Sequence, residues 1–116
     1  MNRRYCSISG VVGRLGIEDA ESLALLADLL GIPGENRELR DLGPARRKAR
    51  LIEVLRDLTV RSARRRPMIL VVEDLHWADP STLELLDTLV AGVDAPLLLL
   101  VTYRTTFTPR WNAGPA

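Results

Sequence analysis

The stretch Met68-Ile-Leu-Val-Val-Glu-Asp-Leu-His-Trp-Ala-Asp79 decides how this 116-residue sequence is read. Met68 to Val72 is an unbroken aliphatic and β-branched run, the pattern of a strand covered on both faces rather than of a half-exposed one. Directly behind it stand two adjacent carboxylates, Glu73 and Asp74. Asp79-Pro80-Ser81 then predicts a helix start, with Asp79 as N-cap and Pro80 in the first helical position. Leu83, Leu86, Leu89 and Val90 form its core face, and Gly92 ends it. Pro96 precedes a second apolar run, Leu97 to Thr102, which carries Tyr103 and Arg104 at its end. The order strand, helix, strand predicts a parallel pair joined by a right-handed crossover. Sheets of this kind hold their chemistry at the carboxyl ends of their strands, and both runs end in polar residues.

Upstream, Leu23, Leu26, Ala27 and Leu30 recur at helical spacing, with Asp19 as N-cap and Gly31 followed by Pro33 as the stop. Ile32 to Gly43 reads as a loop, since Pro33, Gly34 and Asn36 interrupt it and Pro44 follows. Pro44 opens a second helix that runs to about Arg65, where Pro67 ends it. Leu51, Ile52, Leu55 and Leu58 make its buried stripe. Glu53 with Arg56, and Asp57 with Arg61, are spaced as surface pairs worth a few tenths of a kcal/mol each. Residues 1–18 show neither period, and Gly10, Gly13 and Gly16 match no phosphate-binding loop, so this segment reads as a loose lead-in. Residues 19–116 are the expected folded part.

Composition sets the class. With 47% hydrophobic and 27% charged residues the chain is globular rather than disordered. Sixteen basic against fifteen acidic residues leave a net charge of +1, so no global field recruits nucleic acid or a membrane surface. No apolar run approaches the roughly 20 residues that cross a bilayer, and no export signal follows Arg3 and Arg4. The single cysteine, Cys6, excludes an internal disulfide and fits a reducing cytoplasm.

A magnesium nucleotide site needs one carboxylate to hold the ion, usually through water, and a second group to orient the attacking water against the γ-phosphate. Glu73 is assigned to magnesium and Asp74 to water, which makes the segment a Walker B-type element. Side chains of neighbouring strand residues point to opposite faces, so the pair divides this work only if the backbone turns there. The partner element, a glycine-rich loop ending in Lys-Ser or Lys-Thr, does not occur: Lys48 is the single lysine, and alanine follows it.

The run Leu70-Val-Val-Glu-Asp-Leu-His-Trp-Ala-Asp-Pro-Ser-Thr-Leu-Glu-Leu-Leu86 resembles the Walker B region of AAA-like, or STAND, P-loop ATPases fused to bacterial class III adenylate or guanylate cyclases and to LuxR-type regulators. The resemblance extends upstream through Asp41-Leu-Gly-Pro-Ala-Arg-Arg-Lys48 and downstream through Leu97-Leu-Leu-Leu-Val-Thr-Tyr-Arg104 to Trp111. It implies a partial P-loop NTPase fold of the ASCE type: an α/β arrangement of two parallel strands with flanking helices, cut at both ends. It puts Glu73 at the magnesium position, Asp74 at the second acidic position and Arg104 at the γ-phosphate sensor, with Thr102 or Tyr103 nearby. His76, Trp77 and Asp79 then belong to a signature turn. Trp77 is expected as a packing anchor between strand and helix, and Asp79 as a cap. ATP and Mg2+ are the implied cofactors of the intact module, and Thr105-Thr106 departs from the Pro-Glu of that pattern.

The phosphate loop supplies most phosphate contacts in such proteins, so hydrolysis by this chain alone is not expected. Without the strand that carries that loop, a sheet edge stays open, and self-association or pairing with a full-length relative follows. Two other functions compete with a piece of a signalling ATPase. One is a standalone interaction module. The other is a basic-helix nucleic-acid binder using Arg46, Arg47, Arg50 and Arg64 to Arg66, against which the balanced charge argues.

Overall fold

The computed structural model describes residues 3–33 and 37–113, with side chains described as far as Trp111. Helices α1 (Arg3–Gly13), α2 (Ala20–Leu29) and α3 (Pro44–Arg65) precede strand β1 (Met68–Val72), helix α4 (Pro80–Val90) and strand β2 (Leu97–Val101). Single 3₁₀ turns lie at Arg37–Leu39, Leu75–Trp77 and Arg110–Ala113. The chain divides into two units, Met1–Leu58 and Thr59–Ala116, each with its own apolar core, and α3 runs through the boundary.

In the first unit α1 replaces the expected lead-in. Its glycines lower intrinsic helix propensity by about 1 kcal/mol each relative to alanine, which hides it from a periodicity reading. Tertiary contacts override that: Val12 is buried and Ile8 packs beside it in a core with Ala24, Leu25, Leu26, Leu39 and Val54. The helix also closes like α2. The sequence Leu-Gly-Ile occurs at 15–17 and again at 30–32, and in both cases the glycine takes positive φ, 84° at Gly16 and 66° at Gly31. The following isoleucine N–H then reaches back, Ile17 to the Val12 carbonyl at 3.1 Å and Ile32 to the Ala27 carbonyl at 2.9 Å. Both isoleucines are buried. This is the Schellman closure, which satisfies the last helical carbonyls and pins an apolar residue beneath the helix.

Helix α2 begins as expected. The Asp19 carboxylate accepts the Ser22 N–H at 3.0 Å, and hydrogen bonds from Ser22 hold the Asp19 carboxyl below its ordinary value. Arg50 on α3 donates to Glu21 on α2 at 2.7 Å and also pairs with Glu53. The loop between the helices is less loose than its composition suggests. Leu39 is 1% exposed and its carbonyl accepts from Arg47 at 2.9 Å, whereas the boundary residues Gly34 and Asn36 lie outside the described residues.

In the second unit β1 and β2 pair in parallel, Met68 opposite Leu97 and Val72 opposite Val101. Leu70, Val72, Leu97, Leu99 and Val101 pack with Leu86 and Leu89 of α4. The opposite face departs from expectation. Ile69, Val71, Leu98 and Leu100 are between 50% and 65% exposed, so within this unit the strands are covered on one face only. An unbroken apolar run specifies two buried faces, and α4 supplies cover for one. Val90, expected in the core, is 41% exposed because α4 turns it away from the face that carries Leu86 and Leu89. Among the described residues no helix is long and apolar enough to cross a membrane.

Candidate functional site

The site grows from the way β1 ends. Glu73 keeps the parity of the exposed residues Ile69 and Val71, and is itself exposed. Asp74 breaks the alternation, with φ 55° and ψ 50°, the one positive φ outside glycine among the described residues. Aspartate enters this left-handed region more readily than most side chains. The turn it makes sends Leu75 into the core at 0% exposure and leaves both carboxylates in solvent. The two neighbouring acids thus leave the strict opposition of strand side chains.

The end of β2 is locked to this turn by a short ladder. The Thr102 N–H donates to the Val72 carbonyl at 3.0 Å, and the Leu75 N–H donates to the Thr102 carbonyl at 2.8 Å. The Thr102 hydroxyl oxygen accepts the Asp74 N–H at 3.0 Å. Two residues later, the Arg104 N–H donates to His76 Nδ1 at 3.2 Å, and the Arg104 carbonyl accepts the Phe107 N–H at 2.9 Å. Tyr103 makes an edge contact with Phe107, their ring centroids 5.8 Å apart. Glu73, Asp74, Thr102 and Arg104 therefore gather at the carboxyl ends of adjacent strands. Among the described residues no group of three or more His, Cys, Asp or Glu side chains is arranged to hold a metal ion.

The signature residues divide. Asp79 caps α4, its carboxylate accepting the Thr82 N–H at 2.9 Å. His76 takes a structural hydrogen bond, as just described. Trp77 does not anchor the core: it is 74% exposed, its ring 5.5 Å from His76 and its centroid 5.9 Å from the Arg104 guanidinium carbon. The core volume expected for it is filled by Leu75, Phe107 and Trp111. The links from His76 and Trp77 to Arg104 were not legible in the sequence, since they join residues about 28 positions apart and depend on strand register.

The profile of the AAA ATPase domain matches residues 7–101. The chain belongs to the AAA ATPase domain family. The match begins inside α1 and ends with β2, just before Thr102 and Arg104. An uncharacterized protein of Rhizobium meliloti (strain 1021) is 29% identical over 112 residues, 96% of this chain. The chain spans 11% of that relative's length. No solved structure matches it. Membership in the AAA ATPase domain family implies nucleotide binding by the intact module.

Proposed function

We propose that this chain is the Walker B and sensor portion of an ATP-binding module from a multidomain signalling regulator of the AAA-like, STAND class. The observation that carries the reading is the left-handed turn at Asp74, which frees two adjacent carboxylates at a strand end beside Arg104 at the end of the next strand. Glu73 holds Mg2+ in this reading, Asp74 orients water, and Arg104 reads the γ-phosphate, with the Thr102 hydroxyl beside them. Hard carboxylate oxygens suit Mg2+, which takes one or two protein carboxylates and fills its other positions with water and phosphate. A pair of exposed acids fits that demand better than a closed cage. The planar, permanently charged guanidinium of Arg104 suits a phosphate.

The phosphate loop decides the test. Sequencing the DNA on both sides of this reading frame should reveal a Gly-x4-Gly-Lys-[Ser/Thr] segment. In the protein that joins that loop to these residues, Glu73→Gln and Asp74→Asn should each lower ATP hydrolysis by about two orders of magnitude or more. Hydrolysis that survives both substitutions would refute the assignment. The 116-residue chain alone should show no saturable MgATP binding in the micromolar range.

A second reading, an interaction module that pairs with a full-length relative or with itself, is favoured by the exposed aliphatic face of β1 and β2. The nucleic-acid reading has less support. Arg47, Arg50 and Arg64 are engaged within the chain, Arg64 with the Asp94 carbonyl at 3.0 Å.

A further inference from the structure

We infer that His76 and Trp77 are positioning residues for Arg104, His76 fixing its backbone and Trp77 its guanidinium. An exposed arginine at a strand tip has many rotamers open to it and no intrinsic reason to point toward a phosphate. Here two adjacent residues on the facing turn constrain it at both ends. His76 Nδ1 accepts the Arg104 N–H at 3.2 Å, which places the ring proton of neutral His76 on Nε2. The guanidinium carbon lies 5.9 Å from the Trp77 ring centroid, inside the range of roughly 6 Å over which a cation is drawn to an aromatic face.

Core packing does not explain Trp77, because three-quarters of it faces solvent at 74% exposure. Two side chains lie against its ring, the His76 ring and the Arg104 guanidinium. The platform beneath is firm. The Leu75 side chain is fully buried, the Trp77 N–H donates to the Asp74 carbonyl at 2.9 Å, and the Ala78 N–H donates to the Leu75 carbonyl at 3.0 Å. The same turn therefore presents the carboxylates and holds the arginine, so that a movement of one is transmitted to the other. A phosphate oxygen then competes with the Trp77 face for the guanidinium, while the His76 bond keeps the strand tip in place. This inference rests on the reading of Arg104 as a phosphate sensor.

Amide exchange and proton shifts of the 116-residue chain test it without nucleotide. His76→Ala should speed exchange of the Arg104 amide at least about tenfold, while the Leu75 and Thr102 amides, held by the ladder, stay within about twofold. His76→Asn should restore protection, since its Oδ1 stands where Nδ1 stood. The Arg104 δ-methylene protons should be shifted upfield by the indole ring and return to ordinary values in Trp77→Leu. An Arg104 amide indifferent to His76→Ala, or δ protons at ordinary values in the unaltered chain, would overturn the inference. Arg104→Ala with undiminished ATP hydrolysis in the loop-bearing protein would instead remove the sensing role on which it rests.

Discussion

Asp74 holds a left-handed backbone that costs most L-residues about 1–2 kcal/mol, and that Asp and Asn tolerate because a short polar side chain bonds locally. The Asp74 N–H is met by the Thr102 hydroxyl, so the conformation is supported from the neighbouring strand end. Asp74→Val should therefore lower stability by about 1–2 kcal/mol, whereas Asp74→Asn should stay within about 0.5 kcal/mol. Urea unfolding with an unchanged slope measures both. Equal losses in the two variants would show that the carboxylate, rather than the backbone, stabilises the turn. The distinction matters for the chemistry, because Asp74→Asn is then the substitution that removes charge while keeping the geometry.

At the scale of the element, α2 shows how few residues define a helix: a carboxylate cap at Asp19 and a left-handed Gly31. The Asp19 carboxyl is held below its ordinary value of 3.8, first by its side-chain hydrogen bond with Ser22, with burial acting in the opposite direction. A lowered carboxyl contributes stability in full above the ordinary value and loses it as pH falls through the folded value. Asp19→Ala should cost about 1 kcal/mol at neutral pH, and the difference from the unaltered chain should shrink below about pH 4. Thermal melts at the two pH values check this. Both ends of α2 were legible because each signal acts within a few residues. The same Leu-Gly-Ile stop at 15–17 marks the end of α1, but glycines within that helix masked the rest of its pattern.

For the molecule as a whole, the telling surface is the uncovered side of β1 and β2. Ile69 stands opposite Leu98, and Val71 opposite Leu100, so four exposed aliphatic side chains form one contiguous patch. Exposed apolar patches with open strand edges promote association. The isolated chain should form dimers or larger species at tens of micromolar, and the pair Val71→Thr and Leu98→Lys should shift it toward monomer in sedimentation velocity. A monomeric unaltered chain would remove the support for the interaction-module reading. The patch also explains why the apolar runs read as buried strands: the sequence specifies cover on both faces, and α4 provides it on one.

What the sequence determined by itself was local and chemical. Proline and aspartate at Pro44, Asp79 and Pro80 set helix starts, aliphatic runs set two strands, and two adjacent acids at the end of β1 marked the candidate site. These signals need no distant partner. Tertiary structure alone decided the rest: that Val12 and Ile8 make α1 a packed helix, that Trp77 stays in solvent, and that His76 reaches the Arg104 backbone. Each of those outcomes depends on which residues far apart in the chain become neighbours, and strand register and core filling fix that only once the fold has formed.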